Sequence, residues 1–300
     1  MPSHDVLGKV FAAMGSDIFS RCFIAWVNSI AKLTEGEVIA VDGKTICNSD
    51  DKNTGKSALH VVSAFASENR LCLGQKAVDS KSNEITAIPE LLELIAIKGC
   101  IVTIDAMGCQ KSIAKSIVDK NADYLLMVKG NQRELKQQVE KVFSISAVKD
   151  ECKTSEIGHG RIEHRKCQVI DQLDFLDDRQ DWAELKCIAQ ITSERICKQT
   201  GKQSTETRYY ITSLPANATK INNAIRNHWA VENNLHWSLD VIFKEDDSLK
   251  KKGDSALNYN ILTKIALTLI DKERSTKKSK PSKRLLAALD DDYRAKVLKV

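Results

Sequence analysis

Two short runs limit the fold of this chain more than any other feature: Val38-Ile39-Ala40-Val41-Asp42 and Cys100-Ile101-Val102-Thr103-Ile104-Asp105. Each is apolar almost throughout, short for a buried helix, and closed by a carboxylate. Such runs suit central strands covered on both faces, so helices must pack on each side of the sheet they enter. Tyr124-Leu125-Leu126-Met127-Val128 is a third run of the same kind.

The segments between them fit that demand. Residues 6–33 carry a helical apolar pattern, ended by Gly36. A turn is expected at Gly43, after the first run. Residues 59–65 and 71–78 read as strands, joined as a hairpin through 67–70. Pro89 is expected to open a helix over 90–97, since proline is tolerated in a first turn. Helices are expected at 110–120 and 132–143. Residues 151–214 change character, with short β-like stretches at 166–170, 185–191 and 207–212 between polar turns, and read as a β-rich insertion. A long helix through Glu232, an amphipathic helix near 256–270 and a basic tail with a last short helix follow. The order predicts an α/β fold with a mixed sheet flanked by helices.

Glu232 is out of place in its segment. Ile225, Trp229, Glu232, His236, Leu239 and Phe243 step by four and three and share one helical face. A carboxylate inside such a stripe is costly to bury unless it is paired, protonated or bound to a cation. Asp42 and Asp105 are the natural partners, because ligand sites in open α/β sheets gather at strand ends. Two strand-borne aspartates and a helix-borne glutamate could share two divalent cations. Oxygen donors suit magnesium or manganese, and two such ions about 4 Å apart support phosphodiester chemistry.

Other chemistries find less support. Gly43-Lys44-Thr45 follows a strand, but the residues before it are Val38 to Asp42, so no phosphate loop of the Gly-x-x-x-x-Gly-Lys-Ser/Thr type exists. His228, Glu232 and His236 share a face without the His-Glu-x-x-His zinc pattern, and read better as core residues or donors that orient a carboxylate. Trp229 and Trp237 read as packing residues. No Gly-x-Ser-x-Gly elbow is present. The nine cysteines are scattered and odd in number, which fits reduced thiols in the cytoplasm. No run is long and apolar enough to span a bilayer, and the N-terminus has no signal-peptide pattern. The net charge of +5 permits a polyanionic partner without demanding one. The basic clusters at Lys250-Lys251-Lys252 and Lys277 to Arg284 read as solvated faces or phosphate contacts.

Several segments resemble the ISAs1-type insertion-sequence transposases, also called H-repeat-associated proteins. They are Pro2-Ser3-His4-Asp5, Ile39 to Thr45, Thr103 to Gly108, Tyr124 to Gln132, Arg208 to Leu214, and Arg226 to Phe243 with Glu245-Asp246-Asp247. They run in the family's order across nearly the whole chain. The resemblance implies a DDE transposase related to the IS4 type, with a ribonuclease-H-like core over 37–270 and the insertion over 151–214. It places the catalytic and metal-binding carboxylates at Asp42, Asp105 and Glu232, with two magnesium or manganese ions. The implied activity is cleavage and strand transfer of element ends. The implied partners are double-stranded DNA of the ends and target, and a second subunit in a homodimer. The IS4 signature, Tyr-x-x-Arg-x-x-x-Glu-x-x-x-x-x-x-Lys, is replaced here by Ile225, His228 and Leu239 at its Tyr, Arg and Lys positions. Arg226, His228, Lys244, Lys44 and Lys129 are therefore the candidate DNA contacts. In the family a further helical module precedes the Pro-Ser-His-Asp segment. Residues 1–36 are accordingly expected to be the remnant of a longer leader, and 271–300 a basic tail. The alternative is a truncated, inactive remnant that only binds DNA or partner subunits. A third reading is a nuclease of the same fold that cuts without joining.

Overall fold

The computed structural model describes residues 3–51, 55–78, 83–158 and 160–299; Pro2 of the family segment lies outside them. Nine strands are ordered β3-β2-β1-β4-β5-β9-β8-β7-β6 in one mixed sheet flanked by helices. They are β1 (Val38–Thr45), β2 (His60–Ala66), β3 (Leu71–Val78), β4 (Ile101–Ile104), β5 (Asp123–Val128), β6 (Asp150–Gly158), β7 (Arg161–Ile170), β8 (Cys187–Cys197) and β9 (Gln203–Thr212). The expected mixed sheet flanked by helices is present, with β6 to β9 following β5. The runs that most constrained the fold are its central strands: residues 38–41, 101–104 and 124–128 are all buried. By internal contacts the chain divides into two compact units, residues 1–33, 41–96 and 230–300, and residues 34–40 and 97–229.

In the first unit, α1 (His4–Ala13) and α2 (Ser16–Ile30) replace the single helix expected over 6–33. They meet at 92° around Gly15. The corner is held from α8 (Ser255–Lys272). The Asn258 amide donates to the carbonyls of Phe11 and Met14, and Asp254 accepts from the Ser16 amide. These are groups that helix ends leave unpaired. β2 and β3 form the expected hairpin, with a bulge at Ala64/Phe65. Ile24, Leu91 and Ile95 press on Gly74, where a Cβ would lie 2.9 Å from Ile95.

Two expectations are corrected here. Strand β1 does not turn at Gly43 but runs on to Thr45. The missing side chain of Gly43 admits the paired His60 and Glu84 against the strand, Nε2 to Oε1 2.6 Å. Nor does Pro89 open its helix. α3 spans Glu84–Leu94 with Pro89 inside it. Proline forfeits one helical hydrogen bond, yet Ala87, Ile88, Leu91 and Leu92 around it are all buried, so packing outweighs the local preference.

The tail differs from a loose basic segment. α9 (Lys280–Leu289) and α10 (Asp291–Leu298) cover the end of α8. Lys283 is buried and donates to the carbonyls of Glu273 and Ile270 at the α8 C-terminus. That end of a helix favours a cation. Tyr293 donates to Glu273 at 2.7 Å.

In the second unit, β4 and β5 run parallel and β5 pairs antiparallel with β9. α4 (Lys111–Asp119) and α5 (Arg133–Ile145) follow β4 and β5. The expected β-rich insertion is present as four strands, longer than the sequence pattern suggested and with β6 unanticipated. Helix α6 (Ala218–His228) lays Ala218, Ile221, Ala224 and Ile225 on a core with Leu125, Met127, Val169, Ile191 and Tyr210. Among the described residues no single helix is long and apolar enough to cross a membrane. The bent pair α1 and α2 would pass only if taken together.

Candidate functional site

The alternation of β1 puts Asp42 and Lys44 on the same side of the strand. In the first unit, Asp42 faces Glu232 and His236. The Asp42 Oδ2 to His236 Nε2 distance is 3.3 Å, an ion-pair distance but out of line for a hydrogen bond. His236 is buried, and among the described residues its Nδ1 has no hydrogen-bond partner. Glu232 lies within hydrogen-bonding reach of Asp42, so the two carboxyls face one another. Partial burial, and then the charge of Asp42, raise the Glu232 carboxyl above the usual range; His236 and Lys44 pull the other way.

The backbone around Glu232 is not the plain helix that the spacing predicts. After α6, residues Val231–His236 form a π turn, and α7 (Trp237–Phe243) continues from it. A π turn spends an extra residue and rotates the faces that follow it. Val231, Leu235, Leu239 and Ile242 are buried, whereas Trp229 is 37% exposed and Glu232 is exposed. The expectation of a carboxylate buried in the stripe is corrected: the π turn turns Glu232 out to the solvent side, where Asp42 is its partner.

Lys44 is committed to other carboxylates. Its ammonium pairs with Asp240 Oδ1, with Glu245 Oε2 at 3.2 Å and with Asp246 Oδ1 at 3.6 Å. Burial alone would lower its pKa, but Asp240 and Glu245 outweigh it and the net shift is upward. Burial, then the charges of Asp246 and Glu245, outweigh Lys44 and raise the Asp240 carboxyl. Glu245 is only 1% exposed, and its other oxygen accepts from Asn260 at 2.6 Å. Behind it Lys264 is fully buried, donating to Ser63 Oγ at 2.8 Å and Gln75 Oε1 at 2.5 Å. Burial lowers its pKa. Sequence reasoning assigned no role to Asp240, Glu245 or Lys264. The one available signal was Lys44 two residues beyond Asp42.

In the second unit, Asp105 closes β4 and is partly exposed. Its Oδ1 accepts from the Met107 amide at 3.0 Å, capping a one-turn helix over Ala106–Gly108. Asn131 donates to the Ala106 carbonyl at 2.6 Å, and Gln132 to the Cys109 carbonyl at 2.8 Å. The Lys129-to-Gln132 segment thus buttresses the Asp105 turn. Burial, and then Asp105, push the Cys109 thiol up to about 12. Of the candidate DNA contacts, Lys129 is exposed beside this turn. His228 Nδ1 lies 3.0 Å from Thr103 Oγ1, and Arg226 pairs with Glu156. In the first unit, Lys244 is exposed and left-handed, with φ 55°, where it ends α7. Among the described residues no group of three or more His, Cys, Asp or Glu side chains is gathered to hold a metal ion.

Comparison with known proteins gives consistent matches. The family described as Transposase DDE domain matches residues 33–269. "Putative protein YbfL" of Escherichia coli K12 is 41% identical, covering 99% of this chain and 81% of its own length. "H repeat-associated putative transposase YhhI" of the same organism is 40% identical with the same coverage. Among solved structures, the piggyBac transposase synaptic complex with hairpin DNA has a TM-score of 0.48 and 10% identity. That match covers 89% of this chain and 55% of the piggyBac chain.

Proposed function

Because the chain belongs to the transposase DDE domain family, we propose that it cleaves insertion-sequence ends and transfers the freed strands to target DNA. Asp42, Asp105 and Glu232 are its reactive-centre carboxylates. Transposase DDE domains generally work with divalent metal ions, and the donors here fit one. Asp42 and Glu232 present oxygens, which suit magnesium or manganese. A cation between them would offset the repulsion that raises the Glu232 carboxyl. A bound magnesium or manganese ion there would supply an activated water or 3′-hydroxyl and offset charge on the leaving oxygen. The role of Asp105, and a second ion with it, rests on the strand-end motif and the family resemblance.

The observation that carries this reading is the Asp42–Glu232 contact. An aspartate borne on β1 and an exposed glutamate of the π turn face each other where the sequence pattern asked for a partner. The residues divide the remaining work. His236, buried and 3.3 Å from Asp42, limits the freedom of that carboxylate. Glu232, turned out by the π turn, stays accessible to substrate. Asn131 and Gln132 hold the turn that Asp105 caps. Double-stranded DNA is the substrate in this reading, and a homodimer is the unit that pairs two ends.

The test is magnesium titration of wild type and Asp105→Ala on element-end DNA. The expected result is nicking and joining by wild type and neither by the variant. Equal nicking by both proteins would remove the mechanism. Wild-type binding without cleavage would mark an inactive remnant, and cleavage without joined products a nuclease.

A further inference from the structure

We propose that Lys44 is a positioning residue, a strand-borne cation that locks the C-terminal end of the Glu232 helix onto β1 and so fixes Glu232 against Asp42. The inference rests on the reading of Asp42 and Glu232 given above.

The geometry begins at the end of α7. Lys244 takes a left-handed conformation, and the amides of Lys244 and Glu245 bond back to the carbonyls of Asp240 and Leu239. This is the usual helix stop, which returns the chain across its own last turn. Here it carries Glu245 and Asp246 back toward β1. Lys44 then meets Asp240 from the helix and Glu245 and Asp246 from the return. The turn after β1 adds two bonds, Cys47 amide to Asp246 Oδ1 at 3.2 Å and Asn48 Nδ2 to the Asp246 carbonyl at 2.7 Å.

Charge and burial separate this role from a phosphate contact. The Lys44 side chain is 15% exposed and faces three carboxylates. One ammonium among three carboxylates presents no net positive charge to DNA. Glu245 in turn needs it, since a buried carboxylate is tolerated only when paired and hydrogen-bonded. Lys44 and Asn260 supply one partner to each of its oxygens. Asp42 and Lys44 are two residues apart on one strand face, and Glu232 and Asp240 lie on the continuous π-turn and α7 segment. A clamp at 44/240/245 therefore sets the separation at 42/232.

The experiment uses the full chain as wild type, Lys44→Met, Lys44→Arg and Asp240→Asn. It measures Mn2+ affinity by electron paramagnetic resonance, DNA affinity by gel shift, and amide hydrogen exchange over 237–246. Lys44→Met should raise the Mn2+ dissociation constant about tenfold or more, as loss of a group that orients a metal-binding carboxylate does. It should speed exchange across 237–246 and leave DNA affinity within about twofold, the contrast expected when no phosphate contact is lost. Lys44→Arg should restore most of both effects. Asp240→Asn, which keeps the buried Lys44–Glu245 pair, should move both readouts less in the same direction, and it decides the matter if Lys44→Met does not fold. Weakened DNA binding with unchanged Mn2+ affinity would overturn the proposal, as would unchanged exchange in both variants. If wild type binds no Mn2+, the reading of the Asp42–Glu232 pair fails, and exchange over 237–246 still decides whether the clamp exists.

Discussion

The raised Glu232 carboxyl beside Asp42 makes a quantitative prediction about metal binding. Burial first, and the Asp42 charge second, hold the Glu232 carboxyl above its ordinary range. A cation binding both groups competes with protonation of Glu232. Below the raised value, each metal bound releases one proton, so the Mn2+ dissociation constant should fall about tenfold per pH unit. Above it the curve should flatten. An isolated glutamate would place the break near 4.3; the break here should lie above that. Asp42→Asn removes the second cause and should move the break down, though not to the ordinary value, because burial remains. Glu232→Gln should abolish the slope. Without metal the sign reverses for stability. Between the unfolded and folded values the native state binds more protons than the unfolded one. The stabilisation is therefore complete below about 4.3 and is lost as pH rises through the folded value. Electron paramagnetic resonance titrations at half-unit pH steps test the linkage. A break at or below about 4.3, or a slope that survives in Glu232→Gln, refutes the paired-carboxyl description.

Two further predictions concern the scaffold around the site. Lys264 is fully buried with its pKa lowered by desolvation, so the native state binds fewer protons than the unfolded one between its folded value and about 10.4, and stability rises with pH there; denaturant unfolding from pH 7 to 10 should show Lys264→Met losing up to about 1.4 kcal/mol per pH unit of that rise, and equal slopes would contradict it. A Cβ at Gly43 would collide with Glu84 Oε1 and lie 2.7 Å from His60 Nε2, so Gly43→Ala should cost about 1–3 kcal/mol by overpacking and Glu84→Ala in the same chain should recover part of it; thermal melts of the two proteins that coincide would show that Glu84 is not the obstacle.

The parts of the fold that could be read from sequence are those where burial leaves one solution. Residues 38–41, 101–104 and 124–128 are apolar on both faces, and nothing but a covered strand accommodates them. The outer half of the insertion gives no such sign. β6 reads Asp-Glu-Cys-Lys-Thr-Ser-Glu-Ile-Gly and is mostly exposed. What holds it is the backbone ladder to β7, and, on the neighbouring strands, polar pairs such as Glu163 with Arg165 and Arg195. The ladder and the Glu163–Arg195 pair join residues on different strands, and a local window does not contain them. The C-terminal lysines misled for a related reason. Lys283 looks like part of a solvated basic run, yet it is drawn inside by two carbonyls at a helix end.

The site was legible for a reason that the structure revises. Spacing of four and three placed Glu232 in a stripe with Ile225, Trp229 and His236, and the cost of burying it there demanded a partner. The same segment also buries Val231, Leu235 and Ile242, together with Ile225, His236, Leu239 and Phe243 of that stripe. Trp229 and Glu232, beside and within the π turn of Val231–His236, are the members that leave the stripe. With the turn in place, Val231 and Leu235 fill the core, His236 stays buried beside Asp42, and Glu232 emerges to solvent. The demand for a partner survives, but its source is partial burial together with a second carboxylate on β1, rather than one charge sunk in an apolar face. For chemistry on a large substrate the second arrangement is the useful one. In the proposed reading, a carboxylate buried in a core is beyond the reach of DNA, whereas one at the surface, raised by partial burial and by its neighbour and fixed from behind, would exchange a proton for a cation while remaining open to a phosphate.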